Sequence, residues 1–116
     1  MYTKHLSEPW FSLTKLSLKT VEGRLRKGDF ASMAIGDHIT FTNTEFGFTR
    51  AFVSEIIDLR VYPSFRAYLE QETLARTLPG IETLDDGLAI YRRYYTEEDE
   101  QRYTVLALTL RPFRPF

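Results

Sequence analysis

The stretch Lys19-Thr20-Val21-Glu22-Gly23-Arg24-Leu25-Arg26-Lys27-Gly28-Asp29 places four cations and two acids around one short β-prone run. A solvated edge strand carries such charges for solubility, whereas a ligand pocket carries them to hold something polar. Alternation along a strand over Lys19 to Arg24 puts Thr20, Glu22 and Arg24 on one face and Lys19, Val21 and Gly23 on the other. A bend or bulge near either end brings Lys19 round to the first face. Gly23 and Gly28 break the run, and Lys27-Gly28-Asp29 reads as a turn.

Upstream, Ser7-Glu8-Pro9 reads as a helix start, with Ser7 as cap, Glu8 at the positive end of the dipole and Pro9 in the first turn. Trp10, Leu13 and Leu16 then recur at helical spacing, which predicts a helix to about Ser17. Downstream, the turn Ile35-Gly36-Asp37 leads into an alternating strand, His38 to Thr42. A hairpin connection over Asn43 to Gly47 precedes a long β segment, Phe48 to Tyr62. Its apolar phase slips at Ile56-Ile57, as a bulge would require. Ser64 caps a helix with a Phe65, Tyr68, Leu69 stripe, and Leu74 to Leu78 forms a further short turn closed by Pro79-Gly80. Thr83 opens another helix running to about Tyr95. Glu97-Glu98-Asp99-Glu100 reads as a solvated turn. Tyr103 to Leu110 is apolar on both faces and predicts a central strand covered on both sides. Arg111 to Phe116 reads as a loose tail. This order suits an α+β architecture, a small twisted barrel with helices packed over one opening.

With 116 residues the chain is expected to form one domain, residues 1–116, burying roughly two thirds of its unfolded surface. Fifteen Lys and Arg against 16 Asp and Glu leave a net charge of −1, which argues against charge-driven clamping of long nucleic acid. A nucleic-acid contact must therefore be local. The absence of cysteine excludes disulfides, thiolate metal sites and Cys nucleophiles. His5 and His38 stand far apart, so neither a metal nor a cofactor is expected. No apolar run approaches a membrane span, and the chain reads as cytoplasmic.

Glu8-Pro9-Trp10, Lys19-Thr20-Val21-Glu22-Gly23-Arg24, Lys27-Gly28-Asp29, Gly36-Asp37 and the closing Tyr103-Thr104-Val105-Leu106-Ala107-Leu108 together resemble an ASCH domain, the activating signal cointegrator homology domain of the PUA-like superfamily. The resemblance covers nearly the whole chain. The family signature G-x-K-x-x-E-x-R falls on Ser17 to Arg24, with Lys19, Glu22 and Arg24 matching and Ser17 replacing the leading Gly. The resemblance implies a PUA-like small β-barrel with a cleft between barrel and helices, lined by those three charged residues and receiving RNA or a nucleoside. It also admits a nucleoside amidohydrolase of the N4-acetylcytidine type, or a ribonuclease. In the amidohydrolase branch a Lys activates a Thr nucleophile. Lys19 falls on that Lys, but Glu22 falls on the nucleophile position.

The residues themselves leave two readings of the trio: a surface ion-pair network, or a site in which Lys19 supplies a point charge, Glu22 an acceptor or base, and Arg24 a bidentate fork. Trp10 reads as a core or cleft-wall aromatic, and its place beside the signature keeps a stacking role open. Arg92-Arg93-Tyr94-Tyr95 offers the cations and rings that single-strand binders use, or else an amphipathic helix end with Tyr91 and Tyr95 buried. The candidate ligand-binding residues are thus Lys19, Glu22, Arg24, Trp10, Arg93, Tyr94 and Tyr95, with Lys19 and Glu22 as the catalytic pair if the chain is an enzyme. The expected partner is RNA or a modified nucleoside. A protein-interaction module is the third reading, for which Phe113 and Phe116 are the visible apolar candidates.

Overall fold

The computed structural model describes residues 1–114. Eleven elements follow in order: β1 (Tyr2–His5), α1 (Trp10–Lys15), β2 (Val21–Leu25), α2 (Asp29–Ser32), β3 (His38–Asn43), β4 (Arg50–Tyr62), α3 (Phe65–Glu72), α4 (Leu74–Thr77), α5 (Leu84–Arg92), α6 (Glu97–Tyr103) and β5 (Val105–Pro112). The strands form one mixed sheet in the order β1-β3-β4-β5-β2, curled into a half-barrel with the helices packed against it. β1 runs parallel to β3 and every other neighbouring pair is antiparallel. The edge strands are therefore β1 and β2, and the seam of the half-barrel lies between them.

Strand β5 explains why one sheet supports two cores. Leu106, Leu108 and Leu110 enter the barrel interior with Phe11, Ile39, Phe41, Phe52 and Ile56. Val105 and Ala107 point the other way, into a layer with Val21, Leu25, Phe65, Tyr68, Leu69 and Tyr91 beneath the helices. Both faces are buried, as the apolar run demanded. The phase slip at Ile56-Ile57 is a break in the β4–β5 register between Ile56 and Asp58, which lets the 13-residue strand bend round the barrel. Ser64 and Thr83 both act as N-caps, accepting from the Ala67 and Asp86 amides.

Several expected boundaries move. α1 ends at Lys15 because Ser17 adopts a left-handed φ of 62°, so the helix cannot continue to it. Ser7 does not cap by its side chain. Glu8 instead reaches one turn ahead and accepts from the Ser12 amide and hydroxyl at 2.9 and 2.6 Å. Strand pairing of β2 begins at Val21 rather than Lys19, and β4 begins at Arg50 rather than Phe48. The turn at Lys27-Gly28-Asp29 opens the four-residue helix α2. The acidic stretch from Glu97 is a helix, not a turn: Thr96 caps the Asp99 amide, and Glu100 is buried against Arg92 at 3.0 Å. Tyr103 consequently ends α6 and the last strand starts at Val105.

The tail expected over residues 111–116 is also corrected where it can be followed. Arg111 and Pro112 belong to β5, the Phe113 amide donates to Val53 O at 2.9 Å, and Phe113 packs edge-on against His38. Pro115 and Phe116 lie outside the described residues. Among the described residues no helix is long and apolar enough to cross a membrane.

Candidate functional site

The seam between β1 and β2 opens into a cleft of about 380 Å³. Its floor is Lys19, Glu22, Gly23 and Arg24, one wall is His5, Leu6, Ser7 and Trp10, and the other is Leu78 with the end of α5, Ile90, Tyr91, Tyr94 and Tyr95. Of the residues expected from sequence, Lys19, Glu22, Arg24, Trp10, Tyr94 and Tyr95 are brought together here. Arg93 is exposed and does not line the cleft. Tyr91, Tyr94 and Tyr95 share a helical face by their spacing, which is the signal that places Tyr91 with the other two.

Lys19 reaches Glu22 because it precedes the paired strand. The left-handed turn at Ser17 and the hydrogen bonds from the Leu18 and Lys19 amides to Leu13 O fold this segment back on α1, so strand alternation does not govern its side chain. Its Nζ donates to Val21 O at 2.5 Å and Thr77 O at 2.6 Å, and lies 3.2 Å from Glu22 Oε1. Three oxygen partners for three protons is the coordination of an ammonium, not an amine. Arg24 donates through Nε to Glu22 Oε2 at 2.8 Å and through Nη2 to His5 O at 2.8 Å, tying β2 across the seam to β1. Glu22 is thus held between two cations, and the trio carries one positive charge in excess.

Burial and pairing act against each other at these groups. Burial raises the Glu22 carboxyl, but Lys19 and Arg24 outweigh it and hold the group below its ordinary value. Burial pushes the Lys19 ammonium below its ordinary value, with Glu22 opposing the shift. Burial likewise opposes the charge of Arg24, yet Glu22 raises it further above the usual guanidinium range. Tyr95 is raised by burial and stays a neutral hydroxyl at the cleft wall.

The backbone of β2 adds a donor and an acceptor. The Leu110 amide donates to Thr20 O and the Arg26 amide to Thr104 O, so the even-numbered residues of β2 bond to β5. By the alternation of an antiparallel ladder, Val21, Gly23 and Leu25 turn their amides and carbonyls away from β5, toward the seam. Val21 O is taken by Lys19 and Leu25 O by the Lys27 amide. Gly23 presents its N–H and C=O to the cleft that it lines. On the other side, a Cβ at Gly23 would stand 2.5 Å from Tyr68 Cζ, so glycine is required for that ring to pack.

A second pocket of about 300 Å³ adjoins the first, sharing Arg24 and Tyr95 and adding Lys4, Lys27, Asp29 and Phe30. Away from both, Glu72 is saturated by Arg60 and Tyr62 and serves as a buried strut between α3 and β4. Among the described residues no group of three His, Asp or Glu side chains is arranged to hold a metal ion.

The family model of the ASCH domain matches residues 5–114. The crystal structure of hypothetical protein PH0355 superposes with a TM-score of 0.86 at 31% identity, covering 97% of this chain and 98% of that one. The solution structure of protein PF0455 from Pyrococcus furiosus superposes with a TM-score of 0.78 at 36% identity, covering 98% of each. No curated protein matches the chain. The signature residues at the seam, the half-barrel that carries them and a family match over nearly the whole length agree: the chain belongs to the ASCH domain family.

Proposed function

We propose that the chain binds a nucleobase, of RNA or of a modified nucleoside, in the seam cleft. The observation that carries this reading is the conjunction, in one cavity, of the aromatic walls Trp10, Tyr94 and Tyr95 with a floor of Glu22, Arg24 and the outward N–H and C=O of Gly23. Aromatic rings stack any base, while a floor bearing donors and acceptors sorts bases by their edges. One excess cation on a chain of net charge −1 suits a footprint of about one nucleotide rather than a long duplex. The ASCH family is a PUA-like family often linked to RNA binding, which supports the same class of ligand. A cytoplasmic place of action fits a chain without cysteine.

Hydrolysis of a modified nucleoside is the rival. Lys19 bears against it as the activator, since its three donors are already committed to Val21 O, Thr77 O and Glu22. Thr20 does not line the cleft, so the hydroxyl nearest the family's nucleophile position is not available there.

The single tryptophan, Trp10, is the reporter. Titration with cytidine, N4-acetylcytidine and a short unstructured RNA is expected to give a saturable fluorescence change. Tyr94→Ala, at a residue 64% exposed, keeps the fold and should weaken binding by about 1–3 kcal/mol, the worth of one stacked base. No change with any of the three ligands in a folded sample overturns the reading and moves it toward a protein partner. Release of acetate from N4-acetylcytidine would instead make the cleft an active site.

A further inference from the structure

The second pocket has no task in nucleobase binding, yet it borders the first at Arg24 and Tyr95. Arg24 and Tyr95 belong to both linings, so a ligand seated on the floor of the seam cleft has its sugar side directed along Arg24 into the neighbouring space or away from it. That space carries the wrong chemistry for another base. Its one ring besides Tyr95 is Phe30, which is already engaged on its face by Lys4 Nζ at 5.0 Å and by the Arg24 guanidinium at 5.2 Å. Its chemistry is cationic: Lys4, Arg24 and Lys27 against the single acid Asp29.

Each cation retains capacity for an anion. Arg24 spends Nε on Glu22 and Nη2 on His5 O, while Nη1 donates to no protein acceptor among the described residues. Lys4 is paired with Asp29 at 2.9 Å, an exposed contact on the acid's side that leaves two ammonium protons. Lys27 is exposed, forms no ion pair among the described residues and lies 5.1 Å over the Tyr103 ring. The guanidinium is therefore shared between the two spaces, with Lys4 and Lys27 in the lining of the second.

We propose that this pocket is a phosphate subsite, and that the ligand of the seam cleft is a nucleotide, carrying a sugar phosphate, rather than a free nucleoside. The inference rests on the nucleobase reading and adds to it. Arg24 is the hinge of the arrangement: it is fixed by Glu22 and His5 O on the base side and offers Nη1 to the phosphate as a charge-assisted donor. Lys4 and Lys27 add point charges that need no fixed geometry.

The test compares affinities by calorimetry at low salt for the four ribonucleosides, their 5′-monophosphates and their 3′-monophosphates, with wild type and with the double variant Lys4→Gln/Lys27→Gln. Both lysines lie outside the base site, so the variant should bind nucleosides as wild type does. One monophosphate series is expected to bind about tenfold more tightly than its nucleosides, as two solvent-exposed ion pairs would give, and to lose that advantage in the variant. The advantage should also shrink as salt rises. Nucleosides that bind as tightly as both monophosphate series overturn the phosphate subsite and leave the nucleobase reading standing. A phosphate advantage that survives in the variant overturns the assignment to this pocket. Absence of binding by all twelve ligands overturns both readings, whereas binding of the monophosphates alone supports the subsite. A dinucleotide that gains over the better monophosphate would identify the phosphate as part of an RNA chain.

Discussion

Replacing Glu22 by Gln removes one charge and almost no volume from the floor of the cleft, which isolates the ion-pair term. Glu22 stands 3.2 Å from Lys19 Nζ and 2.8 Å from Arg24 Nε, so at an effective dielectric near 20 the two attractions are roughly 5 and 6 kcal/mol. Most of that is offset by the cost of taking the charges out of water. The variant, however, leaves the ammonium of Lys19, which is 2% exposed, without its counter-charge, and breaking a buried pair from one side costs about 3–5 kcal/mol. With a urea dependence of roughly 1.5 kcal/mol per molar, the unfolding midpoint should fall by about 2–3 M. The loss has a defined pH dependence. The folded-state carboxyl lies below its ordinary value, so its stabilisation is complete above the unfolded value near 4.3 and is lost as pH falls through the folded value. The gap between wild type and Glu22→Gln should be full at pH 7 and close at more strongly acidic pH, where the protonated acid resembles the amide. Urea titrations followed by Trp10 fluorescence and circular dichroism at several pH values measure it. A gap under about 1 kcal/mol at pH 7, or one that stays constant into acid, would refute a buried trio that stabilises the fold through charge.

Two further substitutions probe the backbone that carries the trio. Gly23→Ala places a Cβ 2.5 Å from Tyr68 Cζ and 2.8 Å from its hydroxyl oxygen, and since Tyr68 is fully buried the strand or the ring must shift, at about 1–3 kcal/mol. Adding Tyr68→Leu should recover part of the loss, and a Gly23→Ala protein within about 0.5 kcal/mol of wild type would show that the contact is soft. Ser17 holds a φ of 62°, a conformation costing a non-glycine residue roughly 1 kcal/mol, so Ser17→Gly should raise the urea midpoint slightly and Ser17→Val lower it. Equal midpoints for those two variants would mean that the turn relaxes to accept any residue.

How much of this was legible in the sequence depended on whether a residue's partner is near in the chain. Ser64 and Thr83 announced their helices because a cap bonds three residues ahead. The bulge at Ile56-Ile57 showed as a slipped apolar phase. Strand β1 did not show, since four residues with alternating half-exposed and exposed positions become a strand only by parallel pairing with β3, some 37 residues away. Helix α6 was hidden for a related reason. Its four acids suggest a solvated turn, but Glu100 is neutralised by Arg92 and also accepts from the Phe65 amide at 2.6 Å, a partner 35 residues off. At the site, the signature residues were visible by type, whereas their convergence was not: alternation assigns Lys19 to the opposite face from Glu22, and only the left-handed turn at Ser17 brings it back. Composition alone groups Arg93 with its neighbours. The helix ends at Arg92, and the side chain one position on points elsewhere.

The charges of the opening stretch follow from the incompleteness of the barrel. A fully closed sheet would pair β1 with β2 and consume the outward amides and carbonyls of Val21, Gly23 and Leu25. Here Arg24 of β2 reaches His5 O of β1 instead, Lys4 of β1 pairs with Asp29 of α2, and Lys19 covers the Val21 carbonyl. An edge left open in this way is a hazard on a bare surface, because another strand can pair with it. Sunk beneath Trp10, Tyr91, Tyr94 and Tyr95, it is shielded from pairing with another chain. Arg24 and Lys19 then sit beside the outward N–H and C=O of Gly23. The polar floor therefore need not have been added to a finished barrel, since closing the seam by side chains produces it.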